Sequence, residues 1–318
     1  MMRGTFLDLG TVSNGDLDTA PLSAVLPGLA IHEQTPQAQV AARIAGREVV
    51  LLNKCRITRE MMASNPQLKL IALTATGVDN VDVAAARELG IGVANLVDYC
   101  TPSVVQHVFA VLLTLTHRLP EYDRLTRSGE WGRAGQFSVF PYPIRELRGR
   151  TLLIVGFGAL GRGVARVAEA FGMQVRVANR PGGEREPGRQ DLAELLPQAD
   201  VLSLHCPLTP ATRGLIGRQE LAVMKPDAVI INTARGGLVD AAALAEALRT
   251  GRLGGAGIDV LEQEPPVDGN PLLDPAIPNL IVTPHTAWAA RESRQRCLDE
   301  LAANVRAFLG GERRNRVD

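Results

Sequence analysis

The sequence predicts an α/β protein built from two doubly wound sheets, and three observations support this prediction. Short apolar runs rich in β-branched residues alternate with helical patterns along the whole chain, which is typical of parallel sheets covered by helices. One long apolar helical pattern, residues 103–117, separates an early set of strand candidates from a late one. The length of 318 residues suits two domains of ordinary size.

The early set predicts a small doubly wound sheet. Its strand candidates are residues 5–8, 49–52, 70–73 and 91–94, with a weaker one at 29–32. Helical patterns lie between them, as at 37–45 and 83–89. Short strand candidates that alternate with helical patterns are typical of a doubly wound α/β sheet.

The middle of the chain breaks this alternation. Residues 103–117 predict one long, mostly buried helix that Ser103 or Thr101 could cap. Residues 119–150 are polar and contain three prolines, which would suit a mobile linker. The segment also carries apolar surface in Trp131, Phe137, Phe140 and Tyr142. We therefore favour an arm that packs on a partner subunit, and with it a homodimer.

A glycine-rich turn opens the late set. The apolar run 152–155 passes directly into Gly156-Phe-Gly158-Ala-Leu-Gly161. In the pattern G-x-G-x-x-G the first glycine permits a tight turn, the second lets a pyrophosphate approach the backbone, and the third allows close packing of helix on strand. The helix predicted at 159–171, opening with Ala159 and Leu160, would direct its N-terminal N–H groups at the phosphates. A purely structural turn is the alternative, but the strand before and after this helix favours a dinucleotide site.

The late set predicts six strands of a dinucleotide-binding sheet. They are residues 152–155, 174–178, 201–204, 228–231, 256–259 and 280–283. Helical patterns intervene near 159, 192, 218 and 241, so right-handed crossovers predict the strand order 3-2-1-4-5-6. Residues 287–308 predict a long amphipathic helix at the end.

Composition excludes several classes of protein. Lys+Arg and Asp+Glu number 34 each, so no net charge favours nucleic acid or a membrane surface as partner. The longest apolar run, near 108–115, is too short to span a bilayer. The four cysteines lie far apart with no C-x-x-C pair, which predicts reduced thiols in the cytoplasm and no metal site.

The end of the second late strand bears on the choice of coenzyme. An Asp or Glu normally binds the adenosine ribose there, but this strand ends in Asn179-Arg180, and Arg185 and Arg189 follow. With no carboxylate to repel a 2′-phosphate and an arginine able to pair with one, we favour NADP(H) over NAD(H). In the alternative, Asn179 bonds an unphosphorylated ribose and Arg180 points into water.

Three polar residues follow three later strands, where open α/β sheets bind ligands. Arg235 follows the fourth strand and could bind a carboxylate through two parallel hydrogen bonds. Glu264 and His285 follow the fifth and sixth strands. An imidazole can exchange the proton that accompanies hydride transfer to a carbonyl, and a nearby carboxylate would keep it charged. Taken singly they could be a surface charge, a turn residue and a core histidine, but their joint placement favours catalysis.

These motifs together resemble the D-isomer-specific 2-hydroxyacid dehydrogenases, most of all the hydroxypyruvate reductase (glycerate dehydrogenase) branch. The resemblance covers nearly the whole chain and rests on seven ordered motifs. They are 76–82 (TGVDNVD), 156–161, 205–209 (HCPLT), 232–236 (NTARG), 257–260 (GIDV), 264–266 (EPP) and 284–285 (PH).

The resemblance implies a role for each matching residue. Arg235 would orient the substrate carboxylate, Glu264 would pair with the histidine, and His285 would be the general acid/base. The backbone of Gly77 and Val78 would contact the carboxylate, and Trp288 would limit the space around the substrate side chain. The coenzyme would be bordered by Thr101, Cys206, Pro207, Thr212, Thr233, Ala234 and Asp259, with Thr101 near its phosphates and Asp259 at the nicotinamide amide.

The resemblance also implies the domain plan and the reaction. Residues 1–100 and 289–318 would form a flavodoxin-like substrate domain, with a Rossmann coenzyme domain, 101–288, inserted in it. The reaction would be NAD(P)H-dependent reduction of hydroxypyruvate or glyoxylate to the D-2-hydroxy acid. Phosphoglycerate or a lactate-like acid is the alternative substrate, and a nucleotide-sensing scaffold or corepressor is the alternative outside enzymes. The departure from the family is Asn179, where NAD-preferring members usually carry Asp.

Overall fold

The computed structural model describes residues 2–318, which form two compact units. One contains the chain up to Cys100 together with Trp288–Asp318, and the other is the continuous segment Thr101–Ala287. Each contains one parallel sheet, so the predicted α/β class with two doubly wound sheets is confirmed. Trp288, expected at the end of the inserted domain, lies in the first unit. No helix within residues 2–318 has the length and apolar character needed to cross a membrane.

The first unit is a five-stranded parallel sheet in the order β2-β1-β3-β4-β5. Its strands are β1 (Gly4–Phe6), β2 (Ala30–Ile31), β3 (Val49–Leu52), β4 (Leu70–Leu73) and β5 (Gly92–Ala94), and its first helices are α1 (Ala20–Val25), α2 (Val40–Ile44), α3 (Arg59–Ala63) and α4 (Val83–Glu88). Every residue of β3 and β4 is buried, as expected of parallel strands covered on both faces. This order is that of flavodoxin-like domains.

The second unit begins with three helices and continues as a six-stranded parallel sheet. Its helices are α5 (Thr101–His117), α6 (Leu119–Arg127), α7 (Glu130–Ala134), α8 (Ala159–Ala170), α9 (Leu192–Leu195), α10 (Arg218–Val223) and α11 (Ala241–Arg249). Its strands are β6 (Thr151–Val155), β7 (Gln174–Val177), β8 (Val201–Leu204), β9 (Val229–Asn232), β10 (Gly255–Ile258) and β11 (Leu280–Val282). All six predicted late strands are present, with ends shifted by one residue at most.

The strand order predicted for this sheet is wrong. The order is β11-β10-β9-β8-β6-β7, which within the unit reads 2-1-3-4-5-6 rather than 3-2-1-4-5-6. The third strand, β8, pairs with the far side of β6, so β7 is left at the edge. The exposed side chains of Gln174 and Arg176 give β7 one solvated face. Such a strand suits the end of a sheet, where the covering helices stop.

The segment 119–150, here called the arm, contains more regular structure than its sequence suggests. It opens with α6 and α7, and residues 135–150 continue without helix or strand. Tyr122 Oη donates to Tyr142 O at 2.7 Å and joins the two halves of the arm. Ser103 lies inside α5 and does not cap it, because this helix already begins at Thr101. The hydroxyl of Ser103 instead donates to Ala287 O at 2.7 Å.

The last helix, α12 (Arg291–Leu309), returns the chain to the first unit. It begins four residues later than predicted, because Ala290 has an extended backbone (φ −55°, ψ 141°) and stands as the N-cap. Its buried face packs against the first sheet through Cys297, Leu298, Leu301, Ala302 and Val305.

Candidate active site

The glycine-rich turn joins β6 to α8 at the carboxyl edge of the second sheet. Gly156 has φ 94°, and a Cβ there would lie 2.5 Å from the carbonyl carbon of His205. A Cβ at Gly161 would lie 2.2 Å from Gly156 O, so this residue lets α8 pack on its strand. Nothing lies within 4 Å of a Cβ at Gly158. Gly158 therefore leaves open space in front of the first residues of α8, Ala159 and Leu160, as a bound phosphate needs.

The neighbouring loops at this edge also suit a dinucleotide. Within residues 2–318, two buried polar atoms lack a hydrogen-bond partner here, His205 Nδ1 after β8 and Thr233 Oγ1 after β9. Buried polar groups are normally paired, so two unpaired ones beside a phosphate-binding turn fit a coenzyme that would satisfy them. Ala234 N donates to Asn232 Oδ1 at 3.1 Å, which shapes the loop that contains Thr233.

Four more of the expected coenzyme residues lie after β8 or at the start of α5. Thr212, 3% exposed, accepts from Thr209 N and donates to Pro207 O, each at 2.7 Å, and so fixes the turn 207–212 that follows Cys206. Cys206 is buried, while Pro207 is exposed. Thr101, the first residue of α5, faces α8, where a Cβ at Gly163 would lie 3.1 Å from Thr101 Cγ2.

Asp259 is an anchor inside the protein. It is 2% exposed. Its carboxylate accepts hydrogen bonds from Thr283 Oγ1 at 2.5 Å, Thr286 N at 2.8 Å and Ala287 N at 2.9 Å. Most of its acceptor capacity is thus used by the loop after β11, and contact with the nicotinamide amide stays a prediction.

The loop after β7 also contains an acid, Asp191, that was not predicted as part of the coenzyme site. Asn179 Nδ2 donates to Asp191 Oδ1 at 2.8 Å. The Asn179 amide, with Arg185 nearby, holds the pKa of Asp191 below its ordinary value. Arg185 pairs with Asp191 and Arg189 with Glu186, whereas Arg180 is exposed and forms no ion pair within the described part of the chain.

Arg235, Glu264 and His285 follow the adjacent strands β9, β10 and β11. Glu264 Oε2 lies 2.6 Å from His285 Nδ1, and Glu264 Oε1 accepts from Leu261 N at 2.8 Å. Arg235 Nη1 donates to Ala234 O at 2.8 Å. A Cβ at Gly236 would lie 2.0 Å from the carbonyl carbon of Leu261, so the loops of the arginine and the glutamate touch. The three residues thus share one edge of the sheet, with a charge-assisted pair between acid and imidazole.

The remaining expected substrate residues lie in the first unit. Gly77 and Val78 follow β4, and Val78 packs against a core cluster on one face of that sheet. Trp288 packs edge-on against Tyr99, with ring centroids 6.3 Å apart. The structure therefore divides the expected site residues between the two units.

His205 is a further candidate site residue that was not predicted from the sequence, although it opens the motif 205–209. Its Nε2 lies 2.8 Å from Ser203 Oγ, and burial of the imidazole lowers its pKa to about 4. Some surface of the residue is exposed, but Nδ1 is not. His107 was also missed, because it meets Thr283 from 176 positions away. Nowhere in residues 2–318 do three His, Cys, Asp or Glu side chains gather as a metal site would require.

Comparison with known proteins identifies the family of the chain. Residues 109–287 match the family described as D-isomer specific 2-hydroxyacid dehydrogenase, NAD binding domain. The chain is 46% identical to a glycerate dehydrogenase of Methylorubrum extorquens over 89% of each chain. It is 36% identical to a hydroxypyruvate reductase of Blautia hydrogenotrophica over the full length of both. The crystal structure of an NADPH-dependent glyoxylate/hydroxypyruvate reductase from Sinorhizobium meliloti superposes with a TM-score of 0.83 at 29% identity, covering 100% of this chain and 98% of that one. The chain therefore belongs to the D-isomer-specific 2-hydroxyacid dehydrogenase family, as an NAD(P)-dependent oxidoreductase that acts on 2-oxo and 2-hydroxy acids.

Proposed function

We propose that the enzyme reduces a small 2-oxo acid, hydroxypyruvate or glyoxylate, to the D-2-hydroxy acid with His285 as the proton donor. The distance of 2.6 Å between Glu264 Oε2 and His285 Nδ1 carries the proposal. A carboxylate accepts a hydrogen bond and cannot donate one, so Nδ1 keeps its proton. The proton that moves to the forming alkoxide is then the one on Nε2. The carboxylate also stabilises the charge of the imidazolium before that transfer.

Arg235 acts as the carboxylate-binding group in this proposal. Its planar guanidinium matches a carboxylate with two parallel hydrogen bonds, which fixes the 2-oxo group relative to His285. Gly77, Val78 and Trp288 complete the proposed substrate contacts. The relatives named for glycerate, hydroxypyruvate and glyoxylate support a short, unphosphorylated acid as the substrate.

The bound coenzyme would supply the hydride, and residues of the second unit would hold it. Gly158, Ala159 and Leu160 would receive the pyrophosphate at the start of α8. Thr233 Oγ1 and His205 Nδ1, both buried, would gain the hydrogen bonds that they lack within the described chain. Their role is to orient the coenzyme and to exclude water beside the reacting carbon.

Replacement of the proton donor tests the mechanism. His285→Gln should lower kcat by about 10²–10⁴, the contribution of general acid catalysis, while coenzyme affinity stays unchanged. Turnover is followed by coenzyme absorbance and affinity by coenzyme fluorescence. His117→Gln, the same change at an exposed histidine that ends α5, is the matched control. A His285→Gln enzyme with more than about a tenth of wild-type turnover would mean that another group is the acid.

A substrate panel tests the specificity. Reduction of hydroxypyruvate, glyoxylate, pyruvate and 2-oxoisocaproate is followed separately with NADH and NADPH. We expect the highest kcat/KM with hydroxypyruvate or glyoxylate. A higher value with 2-oxoisocaproate would contradict the proposed restriction to small acids.

We propose NADP(H) as the preferred coenzyme. The exposed guanidinium of Arg180 forms no ion pair within residues 2–318, while Asp191 is compensated by Arg185. Arg180→Ala should weaken NADPH binding by about 1.5–3 kcal/mol and leave NADH nearly unchanged. Asn179→Asp should weaken NADPH further through like-charge repulsion. If the wild-type enzyme has the higher kcat/KM with NADH, the preference is reversed and Asn179 is a neutral ribose ligand.

We also propose that the enzyme is a homodimer joined through the arm, and that it acts in the cytoplasm. Phe137 and Phe140 of the arm are 95% and 84% exposed, and a partner surface would remove them from water. Four free thiols support a reducing compartment. Light scattering should give a dimer, and a variant with both phenylalanines changed to serine should give a monomer. Val267→Ser, at a position 75% exposed outside the arm, is the control. A wild-type monomer at micromolar concentration would contradict the dimer.

A further inference from the structure

The backbone that carries His285 is held in an unfavourable conformation. His285 has φ 55°, in the left-handed region that non-glycine residues seldom occupy. Such a conformation persists only where its surroundings enforce it. His285 N donates to Asp259 O at 2.8 Å, and the next two amides donate to the Asp259 carboxylate. Asp259 therefore fixes the backbone on which the proposed acid stands.

A hydroxyl group in turn orients the carboxylate of Asp259. Thr283 Oγ1 lies 2.5 Å from Asp259 Oδ1. A hydroxyl group has one proton, and a carboxylate that already accepts two backbone N–H groups takes it as a third. The proton of Thr283 is thus committed to Asp259, and Thr283 Oγ1 can otherwise only accept.

The donor to Thr283 is His107 of α5. His107 Nε2 lies 3.2 Å from Thr283 Oγ1 and 3.8 Å from Asp259 Oδ1, and its side chain is 19% exposed. Because Thr283 must accept, His107 carries its proton on Nε2. The direction of every hydrogen bond is thereby determined, from His107 to Thr283 to Asp259. The chain of bonds joins the interior of α5 to the loop of His285.

We propose that His107 is a positioning residue for the acid His285, and that it acts through Thr283 and Asp259. This inference rests on the function proposed above. It gives a role to α5, a helix that contributes no reacting group. Without the donor, Thr283 is free to turn its proton elsewhere, the Asp259 carboxylate loses its orientation, and the loop can leave the left-handed conformation. A misplacement of about 1 Å is enough to reduce a rate by about 10².

Two pairs of variants test the relay at its two donors. Thr283→Val removes the hydroxyl and Thr283→Ser keeps it, while His107→Leu removes the donor and His107→Gln keeps an N–H at a similar reach. We expect the Val and Leu variants to lose about 10–100-fold in kcat, with coenzyme affinity unchanged. Their solvent deuterium isotope effect on kcat should rise, because proton transfer from a misplaced acid becomes limiting. The Ser and Gln variants should stay close to wild type. Thr114→Val, the same change elsewhere on α5, is the matched control.

Hydrogen exchange tests the relay without any turnover. The amides of Thr286 and Ala287, which donate to Asp259, should exchange about tenfold faster or more in the Val and Leu variants. Wild-type exchange rates and a wild-type kcat in both the Thr283→Val and the His107→Leu variant would overturn the proposal. An equal loss of kcat in Thr283→Ser and Thr283→Val would also overturn it. A wild-type enzyme inactive on every 2-oxo acid would contradict the proposed function instead, and the exchange rates would still decide the relay. Should one variant fail to fold, the pair at the other position decides.

Discussion

The buried imidazole of His205 should make the protein sensitive to mild acid. Burial lowers its pKa from 6.5 to about 4 in the folded protein. A base whose pKa is lowered in the folded protein contributes its full stabilisation at a pH above the pKa that it has in the unfolded chain. That stabilisation is lost as the pH falls from about 6.5 toward about 4, because protons bind only to the unfolded chain in this window. Linkage then gives a loss of about 2 kcal/mol in the free energy of unfolding between about pH 7 and about pH 5.

The assay compares wild type with His205→Asn, which cannot titrate. Urea unfolding of both proteins at about pH 7 and about pH 5 gives four free energies. Carboxylates titrate alike in both proteins and cancel in the double difference, which should be about 2 kcal/mol. His117→Asn, on an exposed histidine, should behave as wild type. Equal losses in wild type and His205→Asn would refute the reasoning, as would an imidazole titration of His205 near its ordinary pKa.

Three further predictions concern the site itself. Arg235→Lys should raise KM and lower kcat together, because an ammonium cannot form two parallel hydrogen bonds; unchanged steady-state kinetics would remove this residue from the site. Glu264→Gln should lower kcat by about 10–100-fold with little change in coenzyme affinity, since an amide cannot stabilise the imidazolium of His285; retained turnover would show that the pairing does not matter for catalysis. Gly158→Ala places its Cβ in open space, so it should weaken coenzyme binding by fluorescence titration while stability in urea stays unchanged. Gly161→Ala should instead reduce stability by roughly 1–3 kcal/mol through overpacking, and the reverse pattern would mean that the two glycines have been assigned the wrong roles.

The local sequence pattern predicts the positions of the strands well, but it predicts less well which strands lie next to each other in the sheet. The runs at β3 and β4 are apolar at every position, and both strands lie where the sequence predicts them. The predicted strand order of the second sheet was wrong, because strands of similar composition pair through long-range contacts that a local pattern does not indicate. One local cue was available, since Gln174 and Arg176 alternate with valines in β7 and favour a strand with one solvated face.

The same difference between local and long-range features applies to the candidate site. Arg235, Glu264 and His285 can be recognised because each follows a predicted strand directly. Residues that contact the site from distant segments of the chain cannot be recognised in this way. His107 meets Thr283 only through the packing of α5 on the sheet, and no spacing in the sequence indicates that pair.

The return of α12 to the first unit determines the order in which the protein can fold. Arg294 forms two hydrogen bonds with Asp16, and Asn304 Nδ2 donates to Asn95 O, across more than 200 positions. Closing loops of that length is slow compared with local contacts. Residues 101–287 form one continuous segment, so they can complete their core as soon as Ala287 leaves the ribosome. The unit synthesised first therefore finishes last, and its uncovered apolar face is exposed to aggregation until α12 arrives.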